Sequence, residues 1–357
     1  LNSELVKKAA QRFCHCQPAN IHVEQLGNGL INHTYKITDN SNGESIVLQA
    51  INTNVFSKPV DILFNYQLVY NCLKEQNSSV HIPAPISAIN GNFLWVDEQN
   101  NYWRASAFIN DSYAPQIAAD EKAAFTVANS FANFTSALSS LNINEVKEII
   151  PHFHDLTFRN EQFENAVDNS SIILLSKATH IISELRQRKA LVDFFQSTQN
   201  DPAYPNRVMH HDCKITNILF DTKTDQVICP VDLDTVMPGK YFSDLGDMIR
   251  TMICTVDENS SDWEAIEIRA TFYKAILEGY LKGIGNIFST EEIKNIHYSG
   301  LILIYMQSMR FVTDFLQSDI YYKINYPEQN LNRALNQLIL LEKLEEFLEK
   351  EYGFNPY

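Results

Sequence analysis

The chain changes its hydrophobic period near residue 108, and this change restricts the fold more than any other feature. Before it, apolar residues fall in short runs broken by turn chemistry, the signature of strands. Ile21–Leu26, Thr34–Thr38 and Ser45–Ile51 read as three strands, with Asp39–Gly43 as the hairpin turn between the last two. Phe93–Val96 and Tyr102–Ala107 read as a second hairpin across Asp97–Asn101. One helix fits Val60–Lys74, with Leu63, Tyr66, Tyr70 and Leu73 on one face. After residue 108 the period lengthens to that of helices. Ala119–Leu141, Phe163–Phe195 and Leu331–Tyr352 carry apolar residues at helical spacing. Ser289 with Glu292 forms a capping box, predicted to open a helix that reaches Leu316. Within this helical part, Ile218–Val231 alone reads as two short strands, joined by Asp221–Asp225. The expected class is α+β, with a small antiparallel-sheet lobe over 1–108 and a larger helical lobe over 109–357.

With 357 residues, 45% of them hydrophobic, the chain has ample core for two lobes. Its net charge of −15 makes a nucleic-acid or membrane-surface partner a poor expectation, because both present negative charge. No apolar run approaches the ~20 residues that span a bilayer, and Leu1–Cys16 lacks a signal-peptide pattern. Six scattered cysteines point to reduced thiols and a cytoplasmic location. Cys14-His15-Cys16 has no second Cys/His pair at zinc spacing.

The densest chemical signal is Met209–Leu233. Asp212 and Asn217 stand five apart, and Asp232 follows across the strand–turn–strand segment. Phosphoryl transfer asks for this set. A carboxylate (Asp212) receives the proton of an attacking hydroxyl, while an amide oxygen (Asn217) and a second carboxylate (Asp232) hold Mg²⁺ on a nucleoside triphosphate such as ATP. Lys214 is within reach of a γ-phosphate oxygen. The order matches the H-x-D-x-x-x-x-N catalytic loop and following metal aspartate of kinases. The plain alternatives are a polar surface turn, or a zinc site at His210-His211-Asp212-Cys213, where adjacent side chains converge poorly on one ion.

Four segments then carry a family resemblance: Gly27–Tyr35, Val231–Gly239, Ser243–Arg250, and Arg310–Leu316 continuing through Ile320–Lys323. On these the chain resembles the aminoglycoside phosphotransferase and choline kinase superfamily, a branch of the protein-kinase-like fold. Within it the chain is most similar to the N-acetylhexosamine 1-kinase group. The resemblance implies that Asp212 is the general base and that Asn217 and Asp232 bind Mg²⁺. It implies that Asp244 braces the catalytic loop, that Gly27 and Gly29 let a loop cover the phosphates, and that Arg310, Tyr321 and Tyr322 hold the sugar. Arginine's planar fork suits hydroxyl and carbonyl oxygens, and aromatic rings suit a pyranose face. The alternatives are core or surface aromatics for the tyrosines, and an ion pair with Asp314 for Arg310. Pro151–Asp155 resembles a segment of the same group, where His154 or Asp155 either touches substrate or caps a helix.

Two positions depart from the kinase pattern. Gln49 falls where the third strand usually holds a phosphate-binding lysine, and the next helix offers Asn65 or Gln67 where a glutamate would pair with it. Asn32 falls where a third loop glycine would stand. The expected function is ATP- and Mg²⁺-dependent transfer to the anomeric hydroxyl of an N-acetylhexosamine, by a monomer or homodimer. The rivals are a kinase for an aminoglycoside, choline or an amino alcohol, which the negative charge would favour, and an inactive nucleotide- or sugar-sensing module, suggested by the missing lysine.

Overall fold

The computed structural model describes residues 2–14, 16–27 and 31–357. The chain divides into two compact units. The first comprises Leu1–Ala114, Ser140–Pro151 and Asn217–Met237; the second comprises Pro115–Ser139, His152–Thr216 and Pro238–Tyr357.

The first unit opens with helix α1 (Ser3–Ala10), which the apolar pattern had not marked. Strands β1 (Ile21–Gln25), β2 (His33–Asp39) and β3 (Ser45–Ile51) follow, then helix α2 (Pro59–Glu75), short strands β4 (Pro85–Ile86) and β5 (Trp95–Val96), and β6 (Tyr102–Ala107). All pairings are antiparallel, in the order β1-β2-β3-β6-β4, with β5 also on β6. The alternation of each strand gives the sheet two different faces. Tyr35, Ile37, Leu48, Ala50, Trp103 and Ala105 pack with Val6, Ala9 and Ala10 of α1 in one core. Thr34, Gln49 and Arg104 stand in register across three strands on the opposite face. Trp95 and Trp103 lie directly opposite each other in the second hairpin.

A further strand, β7 (Ser112–Tyr113), pairs with Ile218–Asp221, which pairs in turn with Val227–Pro230. The Asp221 side chain accepts the N–H groups of Lys223 and Thr224, which makes the turn of this hairpin.

The second unit is helical. Helix α3 (Glu121–Ala137) is capped by Asp120. The segment read as helical over Phe163–Phe195 holds three helices: α4 (Leu156–Asn169), α5 (Ile172–Gln187) and α6 (Ala190–Thr198). Hydroxyl chemistry makes the first break. Ser170 is extended and donates to the carbonyl of Leu316, and Ser171 caps α5. Helices α7 (Phe242–Met252) and α8 (Ala270–Ile284) were not anticipated. The Ser289–Glu292 capping box is present, but its helix α9 (Thr290–Lys294) is short, and α10 (Tyr298–Leu316) is separate. Between them the chain makes a tight turn, in which the carbonyl of Asn295 accepts both the Tyr298 N–H and the Tyr241 hydroxyl. Helix α11 (Gln329–Tyr352) closes the chain.

Helix α10 is buried on nearly every side, as expected of a helix that is apolar all round. Helices α3 and α8 approach closely because α8 carries Gly279 and Gly283. A Cβ on these would lie 2.3 Å from the carbonyl oxygen of Phe125 and 2.5 Å from that of Asn129. No helix among the described residues is long and apolar enough to cross a membrane.

Candidate active site

The expected site residues divide between the two units, and each group is built locally. In the first unit the hairpin brings Asn217 and Asp232 to its open end. Asn217 immediately precedes one strand, and Asp232 stands two residues after the other. The Val231 N–H donates to the Asn217 carbonyl at 2.8 Å and closes the open end of the hairpin. Asn217 is buried, and Asp232 is exposed and left-handed at φ +59°. That conformation costs an L-residue roughly 1–2 kcal/mol, and it marks a position held by its surroundings. An amide oxygen and a carboxylate are hard oxygen donors, the donor types that fit Mg²⁺.

The same unit gathers Asn32 and Gln49 around a pair that the sequence had not flagged. Arg104 and Asp234 form a buried ion pair, at 4% and 2% exposure. Gln49 accepts from Arg104 Nε at 3.0 Å and donates to Thr34 Oγ1 at 3.1 Å. Asn32 donates to Asp234 and accepts the backbone N–H of Asn52 at 2.9 Å. Asn65 does not face Gln49. Its amide is spent on the backbone of Lys147 and the carbonyl of Val236. Gly27 turns at φ +62°, and Gly29 lies outside the described residues.

In the second unit the loop carrying Asp212 is held by its backbone. Asp244 accepts the N–H groups of His210 and His211 at 2.9 and 2.8 Å. Asp247, one turn along α7, accepts that of Cys213 at 2.9 Å. Burial pushes both carboxyls up, while the bonds and cations around them pull the other way: His210 beside Asp244 and Arg250 beside Asp247. His211 is left-handed at φ +66°. Its Nδ1 meets Ser243 Oγ at 2.6 Å, and the same hydroxyl meets His154 Nδ1 at 2.5 Å. Burial, then the neighbouring His211 and arginines, push the pKa of His154 well down, so this ring is neutral. Gly239 is required beside His211, because a Cβ there would lie 2.4 Å from that ring. The ring of His210 packs edge-on against Phe131, so the two adjacent histidines serve different partners. Asp212 pairs with Lys214 at 2.9 Å, and both side chains are partly open to solvent.

Arg310, Tyr321 and Tyr322 also come together in this unit. The guanidinium lies 5.9 and 5.6 Å from the two tyrosine rings and 5.8 Å from Phe153. The alternative pair with Asp314 does not form. That carboxylate accepts the backbone N–H groups of Tyr321 and Tyr322 and the amide of Asn330, and so shapes the tyrosine turn. Arg310 bonds Gln307 at 3.3 Å. Arg159, which nothing local in the sequence singles out, adds a second guanidinium bonded to Gln162 and to the carbonyl of Phe153. Burial, then Arg310, lower its pKa to about 10. Asp155 caps α4 through the N–H of Phe158.

Comparison with known proteins agrees with this fold. Residues 22–289 match the model of the phosphotransferase enzyme family. Similar solved structures include a microcompartment-associated aminopropanol kinase, 14% identical over the whole of both chains with a TM-score of 0.62. A spectinomycin phosphotransferase solved with ADP and spectinomycin is 13% identical over 97% of this chain and 99% of that one, TM-score 0.62. The choline kinase of Cryptosporidium parvum is 17% identical over 98% and 97%, TM-score 0.55. The two-part architecture is kinase-like, and the chain belongs to the phosphotransferase enzyme family.

Proposed function

We propose that this chain is an ATP- and Mg²⁺-dependent kinase that phosphorylates the anomeric hydroxyl of an N-acetylhexosamine. The observation that carries the acceptor is the setting of Arg310. It stands among Phe153, Tyr321 and Tyr322, next to Arg159, and neither arginine has a carboxylate within ion-pairing distance among the described residues. Choline and aminopropanol each bring a positive nitrogen, which two neighbouring guanidiniums without an ion pair repel. A neutral sugar brings hydroxyl and N-acetyl carbonyl oxygens that accept from a guanidinium, and an apolar ring face that packs on tyrosine.

In this reading Asp212 takes the proton of the attacking hydroxyl. Lys214, 2.9 Å from it, donates to an oxygen of the transferred phosphoryl group. Asn217 and Asp232 would hold Mg²⁺, which supplies charge neutralisation on the triphosphate when bound. Asp244 and Asp247 hold the loop backbone, so that Asp212 is in place before the acceptor arrives.

The test is ADP release from ATP and Mg²⁺ with N-acetylglucosamine, N-acetylgalactosamine, glucose, galactose, kanamycin and choline, with Asp212→Ala as control. Turnover confined to the N-acetylhexosamines and lost in the control is expected. Turnover with kanamycin or choline would discard the acceptor, and ADP binding without turnover on any acceptor would favour a sensing module.

A further inference from the structure

The first unit lacks the lysine that a kinase-like third strand presents to the nucleotide, and Gln49 stands there instead. A neutral amide cannot supply a positive charge, yet the position is not idle. Gln49 lies directly opposite Arg104 on the neighbouring strand and accepts its Nε–H at 3.0 Å. Thr34, opposite Gln49 on the other side, accepts from the same amide at 3.1 Å. The row Thr34–Gln49–Arg104 is therefore one hydrogen-bonded ladder of side chains across three strands. At its end the guanidinium meets Asp234, two residues after Asp232. Asn32, from the start of β2, holds the other oxygen of that carboxylate.

This arrangement has the parts of a lysine–glutamate pair in other positions: a buried cation, a carboxylate that orients it, and a connection to the residues around the glycine loop. Arg104 is 4% exposed, and its Nη1 has no hydrogen-bond acceptor among the described residues. A buried charged donor without an acceptor is costly unless another group arrives to accept from it. Arginine suits the task because it cannot lose its charge and its fork matches phosphate oxygens.

We propose that Arg104, held by Gln49 and Asp234, is the phosphate-contacting cation of the nucleotide site and takes the place of the absent lysine. The proposal rests on the reading of the chain as a nucleotide-dependent phosphotransferase. It makes Gln49 a positioning residue, since a lysine at that position would set two cations side by side. It gives Asp234 the duty of orienting Arg104.

The test compares binding of ADP–Mg²⁺ and of adenosine by titration calorimetry, because only ADP carries phosphates. In Arg104→Gln the affinity for ADP falls at least ten-fold while that for adenosine stays within two-fold. The double variant Q49K/R104Q, which moves the cation back to the third strand, recovers most of the ADP affinity. Equal loss of ADP and adenosine affinity would show a merely structural ion pair and overturn the proposal, as would unchanged ADP affinity. If Arg104→Gln gives no cooperative melt, Arg104→Lys carries the test. A loss selective for ADP supports the proposal there, and an equal loss of both ligands overturns it. Failure of the unaltered protein to bind ADP would remove the nucleotide reading itself, and this inference with it.

Discussion

Asp247 Oδ2 accepts the backbone N–H of Cys213 at 2.9 Å, one residue beyond Asp212. Asp244 takes the N–H groups of His210 and His211 from the same face of α7. Two carboxylates three residues apart on a helix thus fix three of the four N–H groups from His210 to Cys213. The backbone around the proposed base is set by α7 and not by the loop's own turn preferences.

This dependence predicts the effect of removing one charge. In Asp244→Asn the amide can accept one N–H but must turn its own NH₂ toward another. A buried bond to a charged acceptor is worth about 1.5–3 kcal/mol, so unfolding free energy should drop by about 2 kcal/mol. Urea denaturation measures it. A variant as stable as the parent would show that Asp244 does not bear on the loop.

Asp212→Asn keeps the shape of the side chain and removes its capacity to take a proton. General-base contributions run to ~10²–10⁴-fold. Turnover should therefore fall at least ~100-fold, with acceptor affinity nearly unchanged when measured by calorimetry. Near-parental turnover would remove Asp212 from its role.

The legible parts of this chain are those whose determinants lie close together in sequence. The hairpin beside Asn217 and Asp232 is written in Asp221–Asp225, where one side chain organises the turn. The capping box at Ser289 is equally local. Helix lengths were less legible. Apolar spacing continues through Ser170 and Ser171, so only their hydroxyl bonds reveal the break between α4 and α5. Helix α8 escaped because Gly279 and Gly283, poor helix formers, are there for close contact with α3. Arg104 and Arg159 gave no signal at all. The residues that give them meaning, Asp234 for Arg104 and Arg310 for Arg159, lie far along the chain, and an arginine in a strand or helix reads as an ordinary surface charge until they are placed.

Arg310→Met removes the fork and keeps an apolar stem among the rings of Phe153, Tyr321 and Tyr322. The acceptor KM should rise at least ten-fold, because a charged donor bond is worth ~1.5–3 kcal/mol, while the KM for ATP stays put. Steady-state kinetics against each substrate separates the two. A rise in both constants together would mean that Arg310 supports the fold and not the acceptor.

Gly239→Ala places a methyl 2.4 Å from the His211 ring, too close to be absorbed without movement. Overpacking of this kind costs ~1–3 kcal/mol. It acts on a histidine that shares the Ser243 hydroxyl with His154. Thermal melting should show the loss, and turnover should fall beyond what the lost stability explains, because His211 adjoins Asp212. A stable, fully active variant would show that the loop tolerates displacement.

Acid should destabilise the protein through histidines that fold in neutral form. His297 meets the Tyr273 hydroxyl at 2.7 Å, and burial lowers its pKa to about 4. In the unfolded chain an imidazole titrates near ~6.5. Between these values the unfolded state binds a proton that the folded state refuses, so stability is fully present above pH ~6.5 and falls as pH drops toward 4. His154, pushed well down by burial and then by the neighbouring His211 and arginines, adds to this loss as pH falls. In His297→Gln the amide can still bond the tyrosine but does not titrate. Urea midpoints at pH 7.5, 6, 5 and 4 should therefore decline less steeply in the variant than in the parent. Parallel declines would place the acid sensitivity elsewhere.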